Sequence, residues 1–173
     1  MKTTPAGAAT RHLPAWHPAW WIATWFGSGR LPWVPGTWGS LAALPFAAAI
    51  AWAGGPWALL AAAVALFPLG VWASQVYSYA KGRGDPGEVV VDEVVAQWLV
   101  LVPFCLDPVI YLLGFLAFRV FDVAKPWPAS LVDRRLGGGI GIMLDDVFAA
   151  LYAAPLLYGI AYLTGAETCF QTN

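Results

Sequence analysis

Apolar residues fall along this chain in five blocks, at roughly 38–53, 57–80, 89–106, 108–121 and 147–164, with glycine, proline and charge as the punctuation between them. Ala and Leu dominate the blocks, and apart from their acid-rich ends they carry almost no charge, so each reads as a helix. None is a clean run of the ~20 apolar residues usual for crossing a bilayer, and Pro45, Pro68, Pro103 and Pro155 are expected to bend several of them. Ahead of the first block, Trp16, Trp20, Trp21 and Trp25 fit a helix lying at headgroup level, where indole rings are favoured. The pattern predicts an all-α, membrane-embedded helical bundle of about five apolar helices plus an N-terminal interfacial helix. A soluble bundle of unusually apolar helices stays open, because the shorter blocks are brief for a ~30 Å hydrocarbon core.

The connections set the expected orientation. The turns at 54–56 and 107–108 contain no Lys or Arg, whereas all nine basic residues lie before the first block, after the second, or around the connection from the fourth to the fifth. The positive-inside rule then places the N-terminus and both long loops in the cytoplasm. Asp85, Glu88, Asp92, Glu93, Asp122, Asp133, Asp145 and Asp146 lie on that same side. A charged site at one membrane face is expected.

Composition sharpens this reading. With 60% hydrophobic and 11% charged residues among 173 and a mean hydropathy of +0.64, the chain lies outside the range of ordinary soluble domains. A net charge of −1 leaves no basic excess to neutralise a nucleic-acid backbone. Cys105 and Cys169 have neither zinc-ligand spacing nor a disulfide framework and are expected to be inert thiols. The start, with Lys2 and Arg11 but no apolar stretch of signal-peptide length, reads as a cytoplasmic end.

Three polar blocks could carry chemistry. The Gly/Pro loop 27–40 enters the first apolar helix, where Gly36 and Thr37 could offer donors to an anion; on spacing alone an ordinary helix-entry turn is the preferred reading, and the loop lacks the Gly-Lys-Ser/Thr of a P-loop. In the second block, 85–98, a helix starting near Pro86 would place Glu88 at its N-terminus as a solvated dipole partner. Asp92 and Glu93 are enclosed by valines and costly without a counter-charge. In the third, 118–146, Arg119 and Asp122 share a helix side that Pro126 ends, and Asp145-Asp146 precede the last apolar block, where one acid could cap the helix.

Asp92, Glu93, Asp122, Asp145 and Asp146 together offer enough hard oxygen ligands for Mg²⁺, with Asp92, Glu93, Asp122 and Asp146 the expected metal ligands and Asp145 either a ligand or a base. Arg119, Lys125 and Arg134 supply positive charge for a phosphate. The only histidines, His12 and His17, stand in the leader, neither cysteine heads a phosphate loop, and no Asp-x-Asp-x-Thr block occurs. What remains is a water activated by Mg²⁺ with a carboxylate as general base.

Four strings, GSGRLPWVPGTWGSLAALP, DPGEVVVDEVVAQW, FRVFDVAKPWPASLVDRR and GGIGIMLDD, occur in one order between about residues 20 and 164. On them the chain resembles the bacterial phosphatidylglycerophosphatase A proteins. That resemblance implies an all-helical domain over 20–165, between a leader of 1–19 and a tail of 166–173. It also implies Mg²⁺-dependent hydrolysis of phosphatidylglycerophosphate to phosphatidylglycerol and phosphate at the cytoplasmic leaflet of the inner membrane. Asp92 and Glu93 resemble the family's Asp-Glu pair, Asp122 and Lys125 its F-D-x-x-K-P-W-P block, and Asp145 and Asp146 its terminal Asp-Asp. The rival expectations are a small transporter with a carboxylate-lined ion path and a scaffold without turnover.

Overall fold

The computed structural model describes residues 13–127, 129, 131 and 136–170. The described chain is helical, without strands: α1 (Pro18–Ala23), a 3-10 turn (Ser28–Arg30), α2 (Pro35–Lys81), α3 (Val91–Leu101), α4 (Pro108–Ala124) and α5 (Gly138–Thr164). Prolines at the first turns of α1, α2 and α4 give up a backbone N–H that would have no helical partner there. Asp107 caps α4, its carboxylate accepting from Val109 N at 2.7 Å and Ile110 N at 3.2 Å.

The first two apolar blocks form one helical element broken at Gly55, whose φ of 69° and ψ of −167° suit only glycine. Pro45 and Pro68 lie inside α2, and the helical dihedrals fail at Gly55 instead. The two arms fold back on each other. Gly36, at the start of the first arm, meets Glu93, and Gly70, in the second, meets Val91, so both arms return to the same end of α3. Near the Gly55 turn, Trp57 stacks edge-on against Phe170 of the C-terminal segment.

Nine of the eleven residues of α3 are buried, which makes it the central helix, packed against α2, α4 and α5. Its first turn, at Val91, comes later than the Pro86 start expected from sequence. Residues 86–89 instead form a turn closed by Val89 N donating to Pro86 O at 2.9 Å, and Val90 N donates to Ala23 O of α1. Glu88 is accordingly not a helix-dipole partner but binds Lys81 Nζ at 2.8 Å. Burial is the largest single influence and would raise its carboxyl; the hydrogen bonds from Lys81 and the backbone, together with the charges of Lys81 and Arg83, outweigh it and hold the group below the usual range.

Trp25 departs from the interfacial reading as well. Its ring is buried against Trp98 and Phe46, at 5.5 and 5.0 Å between centroids, while Trp16 and Trp21 remain exposed. Trp25 adopts a left-handed backbone after α1 that turns the indole inward.

The largest boundary difference is at α5, which begins at Gly138, nine residues before the apolar block suggested. The glycines serve close packing rather than loop freedom: Gly139 lies against the backbone of Val71, and its N–H donates to Gln75 Oε1 at 2.7 Å. A Cβ at Gly139 would overlap Val71 O and stand 3.0 Å from Gln75 N, both backbone atoms that cannot swing aside. Gly139→Ala is therefore expected to cost about 1–3 kcal/mol and to lower the melting temperature of the purified protein measurably.

Cys105 and Cys169 form a disulfide, with Cα atoms 5.0 Å apart across 64 residues, rather than two inert thiols. The turn after α3 and the segment after α5 meet at the same end of the bundle, where Phe104 pairs with Thr168 and Cys169 N donates to Pro103 O. Sequence spacing could not reveal a pairing that depends on two helices ending side by side.

Candidate metal centre

The polar end of the bundle is assembled from α3, α4 and α5. Asp92 and Glu93 occupy the first turn of α3. Asp146 stands well inside α5, so Asp145-Asp146 is not a helix cap as the sequence suggested but a pair carried on a buried face. One oxygen each from Asp92, Glu93 and Asp146 lie within 4.8 Å of one another. Asp92 and Asp146 are 9% and 4% exposed.

Asp92 Oδ1, Glu93 Oε2 and Asp146 Oδ2 are buried and accept no hydrogen bond. Two like charges at this separation repel by roughly 3 kcal/mol even at an effective dielectric of about 20, and a buried carboxylate oxygen without a donor adds its desolvation cost. A cation relieves both penalties at once. All three donors are hard oxygens, and they fit a metal ion.

Arg119 of α4 flanks this group. Its Nη1 pairs with Asp122 Oδ2 and lies 4.0 Å from Glu93 Oε1. The helical spacing of Arg119 and Asp122 thus produces an ion pair, and Asp122 is turned to the guanidinium beside the three-carboxylate group. Lys125, in a left-handed conformation as the C-cap of α4, reaches across to Asp145 Oδ2 at 2.6 Å. Asp145 Oδ1 also accepts from Asp146 N at 3.1 Å.

The Gly36-Thr37 pair stands differently from its expected role as a donor cradle. Thr37 N already donates to Val34 O, at 3.1 Å. Gly36 is placed against the Glu93 carboxylate and Arg119 Nη1, where only hydrogen fits. Arg134 lies outside the described residues. Asp85, which the sequence had not distinguished from its neighbours, lines a small pocket with Gly84, Gly138, Gly141 and Asp145. No local spacing would have joined Asp85 to Asp145, since α5 brings the second to the first.

Among the described residues, α2 and α5 are long and apolar enough to cross a membrane. Comparison with known families adds to this geometry: the Phosphatidylglycerophosphatase A model matches residues 21–161. The chain belongs to the phosphatidylglycerophosphatase A family. The match runs from α1 into α5 and takes in every residue of the acidic group. The phosphatidylglycerophosphatase A of Escherichia coli strain K12 is 38% identical over 149 residues, covering 85% of this chain and 84% of that protein. That of Haemophilus influenzae strain Rd is 37% identical over 147 residues, covering 84% and 90%. A Bacteroides thetaiotaomicron protein with a provisional phosphatidylinositol-3-phosphatase name is 34% identical over 157 residues, covering 83% and 94%. No solved structure matches the chain.

Proposed function

We propose that this protein is a Mg²⁺-dependent membrane phosphatase that hydrolyses the terminal phosphomonoester of phosphatidylglycerophosphate, yielding phosphatidylglycerol and phosphate for phospholipid synthesis. The observation that carries the reading is the buried group of Asp92, Glu93 and Asp146 with its three unpartnered oxygens, in a chain of this family. Asp92, Glu93 and Asp146 would hold the ion, with Asp122 adjoining. When bound, Mg²⁺ would supply Lewis-acid polarisation of the phosphate and a more acidic water.

The chain's own residues do the rest. Lys125 and Arg119 offset the charge that accumulates on the phosphate oxygens. Asp122 holds the Arg119 guanidinium in place, and Asp145 holds the Lys125 ammonium while offering a carboxylate to the proton of the attacking water. Gly36 leaves room for Glu93 and Arg119 to approach, and the Arg134 guanidinium and the Thr37 hydroxyl would add phosphate contacts.

The site would face the cytoplasm from the inner membrane. Among the described residues, Lys81, Arg119 and Lys125 pair with acids at the end bearing the carboxylates, in keeping with the positive-inside rule, and the Cys105–Cys169 disulfide lies at the opposite end, which suits an oxidising exterior. A transporter needs its carboxylates along a path through the bilayer, whereas these gather at one end.

Phosphate release from phosphatidylglycerophosphate in detergent micelles is expected to stop in EDTA and return with Mg²⁺. Turnover that persists in EDTA refutes the metal requirement, and no turnover at all leaves the scaffold reading standing. Phosphatidylinositol 3-phosphate, suggested by the Bacteroides relative's name, is expected to be hydrolysed more slowly.

A further inference from the structure

Gln97 is fully buried on α3, and neither its amide oxygen nor its amide nitrogen has a hydrogen-bond partner. Native proteins leave few such groups, because each unsatisfied atom costs about 1–3 kcal/mol. Its position gives the amide a use. Glu93, four residues before it, approaches Arg119 of α4, and Leu101, four residues after it, packs where Gly114 of α4 meets Leu157 of α5. Residues at this spacing share one helix face. Gln97 therefore lies on the strip facing α4, between the carboxylates above and the apolar floor below.

Its chemistry suits that place. An amide oxygen is a hard acceptor of the kind that binds divalent cations or orients water on them, and the NH₂ group can donate to a carboxylate. One helical turn, about 6 Å between Cβ atoms, separates it from Glu93. We propose that Gln97 is a positioning residue of the metal centre, closing its buried wall by holding a water on the bound cation. This rests on the metal reading of Asp92, Glu93 and Asp146.

The test uses the full chain in detergent, with Mn²⁺ as the probe, titrated by electron paramagnetic resonance, and melting curves in EDTA. Gln97→Met keeps the shape and removes the amide. It is expected to weaken Mn²⁺ binding by roughly 10–100-fold, the usual effect of losing an outer partner of a metal site. In EDTA the same variant is expected to melt at or above the wild-type temperature, because two unsatisfied buried atoms are gone. Gln97→Glu, which retains an oxygen, is expected to bind Mn²⁺ more tightly than Gln97→Met. Wild-type Mn²⁺ affinity in Gln97→Met overturns the proposal, as does melting below wild type in EDTA, which would mark the amide as a packing element. A wild-type protein that binds no Mn²⁺ overturns the metal reading itself, and this proposal with it.

Discussion

Asp92→Asn is expected to lower phosphate release by at least about a hundredfold, since losing even an outer partner of a metal site commonly costs 10–100-fold. The protein should remain folded. Asn has nearly the same shape as Asp, so the packing of α3 is preserved. The substitution also removes a carboxyl that burial, and then the neighbouring Glu93, push toward the protonated form when no cation is present. In EDTA the variant should therefore melt no lower than the wild type. Adding Mg²⁺ should raise the wild-type melting temperature through ligand linkage and leave that of the variant nearly unmoved. Near wild-type turnover in Asp92→Asn would remove Asp92 from the metal site, and a collapse of the fold would show that its carboxylate is structural.

Gly36→Ala is expected to reduce kcat by roughly 10–100-fold, the scale of an ångström-sized misplacement in a catalytic group. The added Cβ would overlap Glu93 Oε1 and come within 3.0 Å of Arg119 Nη1. Both are ends of flexible side chains, so they would move aside and take the site geometry with them. The outcome contrasts with Gly139→Ala, where the new Cβ meets backbone. Gly36→Ala should lose activity with little loss of melting temperature, and Gly139→Ala should lose stability first. Circular dichroism melts and steady-state kinetics on the two variants separate these effects, and an active Gly36→Ala would show that Glu93 need not hold its position.

The helical class and the polar end of the bundle were readable because they follow from local composition. Ala- and Leu-rich blocks with charge only at their ends have few alternatives to packed helices, and acids enclosed by valines signal a cost that something must offset. The Arg119–Asp122 pair was readable for the same reason, since three residues of helix bring the two side chains together. The boundaries were less legible. Glycine has low intrinsic helix propensity, yet α5 begins at Gly138 and takes in Gly139 and Gly141, because α2 needs a backbone without side chains where Gly138 and Gly139 meet Gln75 and Val71.

Local sequence thus determined the helical class, which end would carry the charge, and which acids could not be left alone. Only the tertiary structure decided how they combine. It set Asp92, Glu93 and Asp146 together, gave Asp122 to Arg119 and Asp145 to Lys125, and pressed Gly36 against Glu93. It also joined Cys105 to Cys169 and left Gln97 unpartnered beneath the carboxylates. The physical reason is range: propensity and charge cost act over a few residues, whereas a metal centre depends on distances between helices that packing alone fixes.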